Sequence, residues 1–444
     1  MRVRRLIAVW AAKIVSTACR LSGRQGVTFA GKVALRVDPQ ILKDLASQVR
    51  EKIFVVCGTN GKTTTNNLLC SAIESEGKKL VCNHTGSNML AGVVAAFVLS
   101  ADNLGRLDAD YACIEIDEAS TLRVLPHFKP DYMVLTNLFR DQLDRYGEID
   151  ITMDMLHRAM RMAPEMTVVV NADDALSAYL AMESGNPYRT YGITERVSLP
   201  QGEHEIREGR FCKKCGARLE YDFYHYSQLG VYRCPSCGFA RPQIDYEASQ
   251  IDMSDGLSFE VEGRRLSADY RGFYNIYNIL AAYSAARTAG FSMNHFAGTL
   301  QKFNPQNGRM EHFQVGGTDI VLNLAKNPAG FNQNISAVME DPKEKDIIIV
   351  INDNAQDGTD ISWLWDVDFD RFEDEQIRSI TVSGIRCQDM RLRMKYVGIA
   401  SELVGDVKEA IARRVADGCG NLYVLVNYTA LFSTRNILVG MQGK

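Results

Sequence analysis

Short apolar runs and longer helical patterns alternate along most of the chain. Runs rich in Val and Ile at residues 52–57, 111–117, 132–137 and 166–171 have the length and composition of buried strands. Stretches with helical spacing, such as the apolar residues 88–101, lie between them. Strands that alternate with helices usually pair in parallel and are covered on both faces of the sheet. The pattern therefore predicts an α/β fold.

Two interruptions of this pattern divide the chain into predicted domains. A cysteine-bearing hairpin breaks the alternation at residues 209–239, and a second series of strands begins after residue 313. The predicted parts are an N-terminal segment at residues 1–50 that packs on the next domain, a central domain at residues 51–310 with an insertion at about residues 205–242, and a smaller Rossmann-like α/β domain at residues 311–444.

The composition is that of a globular protein of about three domains, because domains usually hold roughly 100–200 residues. Of the 444 residues, 46% are hydrophobic and 23% are charged, which is ordinary for a soluble chain. The net charge of −4 gives no indication of a nucleic-acid partner. Eleven cysteines in a chain of this length do not indicate a secreted disulfide scaffold, and we expect a cytosolic, reducing compartment.

The N-terminus combines basic positions with a short apolar run. The run at residues 6–12 ends at Lys13, lacks a convincing cleavage site and is too short to span a bilayer. As a helix it is amphipathic, with basic residues available to anionic lipid. These residues are Arg2, Arg4, Arg5, Lys13 and Arg20. Two interpretations stay open, a helix that simply packs on the first domain and one that makes peripheral contact with a membrane.

A glycine-rich turn follows the first predicted strand and precedes a helix. Its residues are Gly58, Thr59, Asn60, Gly61, Lys62, Thr63 and Thr64. Glycines let backbone N–H groups wrap a phosphate, and the helix N-terminus adds positive potential. We expect Lys62 to reach the terminal phosphates of a nucleotide, and Thr63 and Glu115 to help hold Mg²⁺. The strict pattern has an earlier glycine where this chain has Val56 and Cys57, so the prediction depends on the context of strand, loop and helix.

This turn resembles the ATP loop of the Mur ligases, the ATP-dependent enzymes that build the stem peptide of peptidoglycan. Three further segments resemble motifs of that family. They are "TNLFRDQLDRYG" at residues 136–147, "GFYNIYNILAA" at residues 272–282 and "NGRME" at residues 307–311. The matches extend over roughly residues 52–327, so the resemblance covers far more than one loop.

The resemblance implies roles for the matching residues. Asn275 and Asn278 would serve the adenine pocket, Arg309 would contact phosphate, and Lys326 is a candidate phosphate contact. Together with the loop residues they would form the ATP site. The implied chemistry is activation of a carboxylate, in which ATP phosphorylates the carboxylate and an amine attacks the acyl phosphate.

Several departures from the family pattern restrict this interpretation. Gln142 replaces a metal-binding histidine, and the segment at residues 147–160 lacks the lysine that the amino-acid-adding enzymes carry in carbamylated form. Asn323 and Lys326 replace an aspartate and a histidine. The 50 or so residues before the loop are too few for a separate UDP-sugar domain. These differences indicate a Mur-like ligase that no longer takes the usual substrate or amine.

Four cysteines have the spacing of a zinc ribbon. They are Cys212, Cys215, Cys234 and Cys237, and each pair is followed by glycine, Gly216 or Gly238. Four thiolates would form a closed tetrahedral site with no position for a substrate water, so we predict a structural Zn²⁺. Some zinc ribbons bind nucleic acids, but this chain lacks the basic, aromatic-rich surface such binding requires.

The segment "NDNAQDGTDISWLWD" at residues 352–366 places four aspartates after a predicted strand. Ala355 and Leu364 occupy positions where a calcium loop needs oxygen ligands, which excludes an EF-hand. A solvated acidic turn is the plain alternative. The combination of Mur-like domain, Cys₄ insertion and this segment resembles the MurT family, whose members work with GatD glutaminases. The resemblance implies that Asp360, with Asp357 as second choice, completes the catalytic triad of such a partner.

We therefore expect a C–N ligase that uses ATP, Mg²⁺ and a structural Zn²⁺. The resemblance implies a heterodimer with a GatD-type glutaminase, which would supply ammonia to amidate the D-glutamate α-carboxyl of lipid II to D-isoglutamine. The expected location is the cytoplasm, at the inner face of the plasma membrane. Two alternatives stay open, an amino-acid-adding ligase of the Mur or folylpolyglutamate type and a binding module without catalysis.

Overall fold

The computed structural model describes residues 2–21, 26–84, 87–141, 148–197, 208–254, 256–269, 271–303 and 308–442. Within these residues the strands form a nine-stranded sheet, a six-stranded sheet and a two-stranded hairpin. Helices cover both faces of the two larger sheets. The prediction of an α/β fold is confirmed.

The helices, in chain order, are α1 (Arg2–Leu21), α2 (Val27–Val37), α3 (Ile41–Ala46), α4 (Lys62–Ser75), α5 (Leu90–Ser100), α6 (Thr121–Val124), α7 (Ile149–Met162), α8 (Ala175–Glu183), α9 (Tyr274–Thr288), α10 (Phe296–Lys302), α11 (Pro328–Met339), α12 (Cys387–Tyr396), α13 (Val407–Ala416) and α14 (Tyr428–Gln442). Short 3-10 turns lie at Glu118–Ser120, Glu208–Arg210, Ser362–Asp366 and Phe369–Phe372.

The strands are β1 (Lys52–Cys57), β2 (Leu80–Cys82), β3 (Tyr111–Glu115), β4 (Tyr132–Leu135), β5 (Thr167–Asn171), β6 (Tyr188–Ile193), β7 (Glu220–Tyr226), β8 (Leu229–Arg233), β9 (Tyr246–Asp252), β10 (Leu257–Val261), β11 (Arg264–Ala268), β12 (Glu311–Val315), β13 (Thr318–Leu324), β14 (Lys345–Val350), β15 (Ile377–Ser383), β16 (Glu402–Leu403) and β17 (Asn421–Val426).

The large sheet has the order β11-β10-β9-β6-β5-β4-β1-β3-β2. The seven strands from β9 to β2 are parallel, and β10 and β11 extend the sheet as antiparallel strands. Alternate residues of β1 face opposite sides, so Val55 packs with α1, α2 and α5 whereas Phe54 packs with α4 and α9. Both faces of the central strands are therefore buried, as a parallel sheet requires.

The N-terminal helices lie on one face of this sheet. α1 and α5 both pack on α2, and Ala8, Val9 and Ala12 of α1 are completely buried. α2 approaches α5 closely at Gly31, where an added Cβ would lie 1.7 Å from the carbonyl oxygen of Ala91. The close approach of the two helices therefore requires glycine at this position.

In the sequence, the hairpin β7–β8 lies between β6 and β9, two strands that pair directly with each other in the large sheet. Its base packs on α8 through Cys212, Leu219, Tyr232 and Phe239. A buried ion pair joins Arg241, just after the hairpin, to Asp173, with 2.6 Å between guanidinium Nε and carboxylate Oδ1. The insertion therefore packs against the large-sheet unit.

The smaller sheet has the order β12-β13-β17-β14-β15-β16. Only β12 is antiparallel to its neighbour, and the other five strands are parallel. Ile347 and Ile349 of β14 face one buried cluster and Ile348 faces the other. The segment that follows β14 leaves the carboxyl end of the sheet, which is where binding loops of α/β proteins usually lie.

No helix within the described ranges has both the length and the apolar character needed to cross a bilayer.

Replacement of Gly31 by alanine should destabilise the packing of α2 on α5. The new methyl group would meet the Ala91 carbonyl, and overpacking of this kind costs about 1–3 kcal/mol in the free energy of unfolding. Gly298→Ala is the matched control, because Gly298 is exposed in α10 and its Cβ would meet nothing within 4 Å. The control should gain about 0.5–1 kcal/mol from helix propensity. Denaturant unfolding of both variants measures the difference, and a loss of equal size in the two would contradict the assignment.

Candidate functional site

The phosphate-loop turn between β1 and α4 adopts a backbone that depends on its glycines. Gly58 and Gly61 have φ angles of 116° and 84°, which side chains rarely allow. A Cβ on Gly61 would lie 2.0 Å from Oδ1 of Asn278, and one on Gly58 would lie 2.3 Å from Oγ1 of Thr136. The two glycines therefore allow both the turn itself and the close approach of neighbouring segments.

Residues just after β4 hold this turn from outside. The backbone N–H of Asn60 donates to Oδ1 of Asn137 at 2.9 Å, and Nδ2 of Asn137 donates back to the Asn60 carbonyl at 3.1 Å. The hydroxyl of Thr136 donates to the same carbonyl at 2.8 Å. Such a set of partly buried hydrogen bonds fixes the direction of the remaining loop N–H groups.

A cation and several carboxylates meet at the start of α4. Nζ of Lys62 lies 3.0 Å from Oε1 of Glu118, and it also donates to the carbonyls of Gly58 and Thr59. Burial alone lowers the pKa of Lys62, but Glu118, Asp117 and Glu115 outweigh it and raise the pKa above its usual value. The ammonium group therefore stays charged in a buried position.

Glu115 ends β3 and faces the first turn of α4. The hydroxyl of Thr63 donates to its Oε2 at 2.7 Å, and Nδ2 of Asn88 donates to its Oε1 at 2.9 Å. Asn83 makes two hydrogen bonds of 2.8 Å with the backbone of Glu115. A buried carboxylate beside a threonine hydroxyl is an oxygen pair that suits a hard cation such as Mg²⁺.

Helix α9 supplies two asparagines to the same site. Nδ2 of Asn278 donates to Oδ1 of Asn275 at 3.1 Å, and Asn275 itself donates to the carbonyl of Arg271 at 2.9 Å. The Thr65 hydroxyl of α4 donates to the carbonyl of Asn278 at 3.4 Å. α9 therefore packs on the phosphate-loop helix chiefly through apolar side chains, with this hydrogen bond at its polar end.

The smaller sheet contributes the remaining polar groups. An NH2 nitrogen of Arg309 donates to the Thr63 hydroxyl at 3.0 Å, and its Nε is buried with no hydrogen-bond partner among the residues that the structure describes. Lys326 forms an ion pair with Asp141. An unsatisfied guanidinium nitrogen beside the phosphate loop favours an anionic ligand.

Asn60 and Asn327 join the loop to the N-terminus of α11. Nδ2 of Asn327 donates to Oδ1 of Asn60 at 3.0 Å, and the reverse contact measures 3.3 Å. The same Asn327 oxygen caps α11 by accepting from the N–H of Gly330 at 2.8 Å. One side chain therefore both caps a helix and links the two sheets.

These groups surround a cavity of about 600 Å³. Its lining combines predicted site residues with residues of α2, α5 and α14. The predicted residues among them are Thr59, Asn60, Gly61, Lys62, Thr63, Thr64, Glu115, Asn275, Asn278, Arg309 and Lys326. The cavity therefore collects residues that lie more than 260 positions apart in the sequence.

The four aspartates of the acidic segment after β14 lie in different environments. Asp357 is 5% exposed and accepts hydrogen bonds from the Thr429 N–H at 2.8 Å, the Thr429 hydroxyl and the Asn354 N–H. Burial raises the pKa of Asp357. Its oxygens are thus occupied within the chain.

Asp360 lies three residues further on and is partly exposed. It accepts a hydrogen bond from the N–H of Ser362 at 2.8 Å, and hydrogen bonds from this N–H and from the Ser362 side chain lower the pKa of Asp360. The carboxylate is therefore ionised at neutral pH and accessible from outside.

The other two aspartates of the segment are held by arginines. Asp353 lies 3.3 Å from Arg386, and Asp366 forms an ion pair with Arg140 of the large-sheet unit. The 3-10 turn Ser362–Asp366 between them is fixed by Trp363, whose ring lies 6.2 Å from that of Phe331. Among the residues that the structure describes, the hydrogen-bond partner of Asp360 is its near neighbour Ser362, whereas the other three aspartates contact residues distant in the sequence.

The four ribbon cysteines lie together at the base of the β7–β8 hairpin. Their sulfurs are all within 4.8 Å of one another, with 3.6 Å between Cys212 and Cys237 and 3.5 Å between Cys215 and Cys234. Four thiolates around one zinc ion at about 2.3 Å would stand roughly 3.8 Å apart. The observed separations therefore fit a tetrahedral metal site.

The structure brings the predicted nucleotide and magnesium residues into one cavity or its rim, and it brings the four cysteines together elsewhere. Gln142 lies outside the described residues. The sequence reasoning missed Asn88, Glu118 and Asn327. The acidic run after β3 was a signal for Glu118, whereas no motif marks Asn88 or Asn327.

Comparison with known proteins relates both halves of the chain to peptidoglycan ligases. A family model described as the Mur ligase middle domain matches residues 56–286, and one described as MurT ligase C-terminal matches residues 324–431. The chain is 36% identical over 431 residues to the lipid II isoglutaminyl synthase (glutamine-hydrolyzing) subunit MurT of Staphylococcus aureus strain COL, covering 97% of this chain and 96% of that protein. The protein of the same name from Streptococcus pneumoniae is 33% identical over 423 residues, with coverage of 94% and 93%.

Solved structures show the same fold at low sequence identity. A pseudomurein peptide ligase type C from Methanothermus fervidus matches with a TM-score of 0.70 at 20% identity, over 89% of this chain and 80% of that one. MurF from Acinetobacter baumannii matches with a TM-score of 0.66 at 16% identity, over 93% and 80%. The Mur ligase fold predicted from the sequence is thereby confirmed.

Asn137→Ala should weaken nucleotide binding more than it weakens the fold. It removes both side-chain hydrogen bonds to the backbone of Asn60, so the loop N–H groups lose their fixed direction. We expect the Kd for a non-hydrolysable ATP analogue to rise by about tenfold, the equivalent of one or two hydrogen bonds. Calorimetric titration gives the Kd.

Asn186→Ala is the matched control for this variant. Asn186 is also buried and donates to two backbone carbonyls, at 2.7 and 3.1 Å, but it does not line the cavity. It should lower the Tm by a similar amount and leave the Kd unchanged. Equal changes of Kd in the two variants would show that Asn137 acts only through stability.

Proposed function

The chain belongs to the MurT family of Mur ligase-like subunits, and we propose that it is the ligase subunit of a glutamine-hydrolysing lipid II isoglutaminyl synthase. The proposed reaction is ATP-dependent amidation of the D-glutamate α-carboxyl in the lipid II stem peptide, which gives D-isoglutamine. Ammonia would come from a GatD-type glutaminase in a heterodimer. The observation that carries the proposal is the pairing of a complete phosphate-loop cavity with an accessible aspartate on a separate loop.

The residues around the cavity fit ATP with Mg²⁺. The loop N–H groups between Gly58 and Thr64 and the N-terminus of α4 would hold the phosphates. Thr63 and Glu115 would hold the metal. Lys62 and Arg309 would balance the charge that develops on the transferred phosphoryl group. When bound, ATP supplies the phosphoryl group that activates the substrate carboxylate, and the protein groups position it.

Asn275 and Asn278 would face the adenine, while Lys326 is proposed as a further phosphate contact. Lys326 already pairs with Asp141, so its ammonium group would be shared between that carboxylate and a phosphate. Release of ammonia from glutamine requires a nucleophile and a base, and this chain contains no G-x-C-x-G nucleophile motif. That chemistry is therefore assigned to the partner.

Asp360 is proposed to complete the catalytic triad of the partner glutaminase. A carboxylate in that role orients the histidine and stabilises its positive charge. Asp360 is ionised and reachable, whereas Asp357 is buried with both oxygens occupied. The environments of the two residues therefore favour Asp360.

The four cysteines are proposed to hold a structural Zn²⁺. Their arrangement leaves no open coordination position, so the metal would stabilise the hairpin rather than take part in the reaction. We further propose that the chain divides into the segment 1–50, a central domain 51–310 and a C-terminal domain 311–444. A lipid-linked substrate places the work of the enzyme at the cytoplasmic face of the plasma membrane.

Asp360→Asn in the two-subunit complex should abolish amidation supported by glutamine and spare amidation supported by ammonium salts. Loss of a triad carboxylate lowers turnover by several orders of magnitude, so we expect at least about a hundredfold decrease with glutamine. Formation of amidated lipid II with each nitrogen source measures both activities. If ammonium-supported activity falls equally, the triad assignment is wrong.

Asp357→Asn is the comparison variant for this experiment. Because Asp357 organises the loop through Thr429 and Asn354, its loss should lower the Tm and reduce the glutamine-supported rate only partially. If the unmodified complex forms no amidated lipid II with glutamine and none with ammonium salts, the proposed function is wrong. Product containing an added amino acid instead of an amide would favour an amino-acid-adding ligase.

Cys215→Ser should remove the bound zinc and destabilise the hairpin. Structural zinc sites with four thiolates contribute directly to folding, so a decrease in Tm of several degrees is expected. Metal analysis should give about one zinc per chain for the unmodified protein and much less for the variant. Cys387→Ser is the control, because Cys387 is buried in the smaller unit and lies outside the cysteine group. Equal zinc content in all three proteins would refute the site.

A further inference from the structure

Helix α1 is apolar on the side that faces solvent. Val3, Ile7, Trp10, Ile14 and Leu21 recur at intervals of three, four or seven residues and are 46–85% exposed. The opposite side is buried against α2 and α5. The aliphatic side chains of the outer side therefore contribute little to the packing of the helix on the protein.

The charge of this region differs from that of the rest of the chain. The first 37 residues contain eight of the 50 Lys and Arg residues and none of the 54 Asp and Glu residues. The remaining 407 residues therefore carry 42 basic and 54 acidic side chains. Lys32 and Arg36 of α2 are exposed, beside Phe29 at 53% exposure. Basic and apolar groups therefore share one surface.

The helix is fixed in this orientation by polar contacts to the loop after α5. Nζ of Lys13 donates to the carbonyl of Ala101 at 2.6 Å and to Oδ1 of Asn103 at 3.2 Å. Nε1 of Trp10 donates to the Asn103 carbonyl at 3.1 Å. The apolar side is therefore presented outward by a helix that is anchored, and Leu104 in the same loop adds a side chain that is 62% exposed.

This surface adjoins the cavity that holds the phosphate loop. Thr28, Lys32 and Leu35 of α2 line the cavity, and Lys32 is also exposed. A flat ligand that covered α1 and α2 would consequently lie beside one wall of the cavity.

We propose that α1 and α2 form a docking face for an anionic lipid bilayer, with Val3, Ile7, Trp10, Ile14, Leu21 and Phe29 as its apolar contacts. Apolar side chains entering the headgroup region, with Lys and Arg pairing with anionic headgroups, match the requirements of an interfacial helix. The absence of Asp and Glu from residues 1–37 of the sequence favours an anionic surface over a protein partner of mixed charge, although the neighbouring loop carries an exposed carboxylate, Asp102. Docking itself depends only on this surface, whereas its role in presenting a lipid-linked stem peptide to the cavity rests on the proposed function.

Vesicle co-sedimentation of the two-subunit complex tests the docking. We compare vesicles of pure phosphatidylcholine with vesicles that contain 30% phosphatidylglycerol, at low and high salt. The bound fraction should be at least about tenfold higher on the anionic vesicles and should fall with salt. Trp10 emission should shift to shorter wavelength on binding. Equal binding to both vesicles, or none, would overturn the proposal.

Ile7→Ser with Ile14→Ser removes apolar contacts without touching the buried side of α1. This double variant should lose at least about tenfold in affinity for the anionic vesicles. Leu392→Ser with Val439→Ser is the matched control, because these side chains are 49% and 47% exposed on the smaller unit. Equal losses in both variants would contradict the assignment. A loss of heterodimer in the first variant would instead identify a protein interface and would also overturn the proposal.

The role in substrate presentation is tested separately from the proposed function. The Ile7→Ser, Ile14→Ser variant should amidate a water-soluble stem-peptide substrate at the unmodified rate and vesicle-bound lipid II at least about tenfold more slowly. Equal rates on both substrates would refute the role in presentation. If the unmodified complex amidates neither substrate, the proposed function fails, while the vesicle binding still decides the docking.

Discussion

The reciprocal amide pair between Asn60 and Asn327 is the contact on which the site depends, because it joins the phosphate loop to the smaller sheet. Neither sheet alone encloses the cavity. Further contacts reinforce the junction, among them Arg309 with Thr63, Lys326 with Asp141, Arg140 with Asp366, and Arg271 with the carbonyl of Glu340 at 3.2 Å. Neutral hydrogen bonds contribute about 0.5–1.5 kcal/mol each and partly exposed ion pairs about 0–1 kcal/mol. The polar contacts across this junction are individually weak, and interfaces of this kind between domains commonly permit relative motion.

The acidic segment shows how one loop serves two purposes. Asp357 is turned inward and ties the loop to the start of α14 through Thr429, which fixes the backbone three residues before Asp360. Asp366 ties the far end of the segment to the large-sheet unit through Arg140. Asp360 lies between these two anchors with a carboxylate that its own backbone keeps ionised. A rigid position and an accessible charge are both needed for a residue that would act on another protein.

The sequence was sufficient to predict the elements that carry a local signal. β1, the glycine turn and α4 follow from apolar β-branched residues, two glycines and the helical pattern, and the cysteine pairs follow from their spacing. The junction of Asn60 with Asn327 could not be predicted, because 267 positions separate the residues and a single asparagine has no periodicity. β9 to β11 were also missed, since each carries polar residues at several positions and β10 and β11 extend the parallel sheet through antiparallel pairing. Their pairing is decided by the sheet edge that they cover and not by their own composition.

The ribbon insertion supports the phosphate loop from outside, and Tyr226 of β7 also lines the cavity. Gln228, in the turn of the hairpin, donates to the carbonyl of Leu138 at 2.5 Å, and the N–H of Leu138 donates to Asp174 at 2.8 Å. Leu138 directly follows Asn137, which holds the backbone of Asn60. The four-cysteine group lies at the base of the hairpin, whereas Gln228 lies at its tip and is held there by its own hydrogen bonds to Leu138 and Asp174. A metal at the base would hold together the two strands that carry this tip, without contacting the nucleotide.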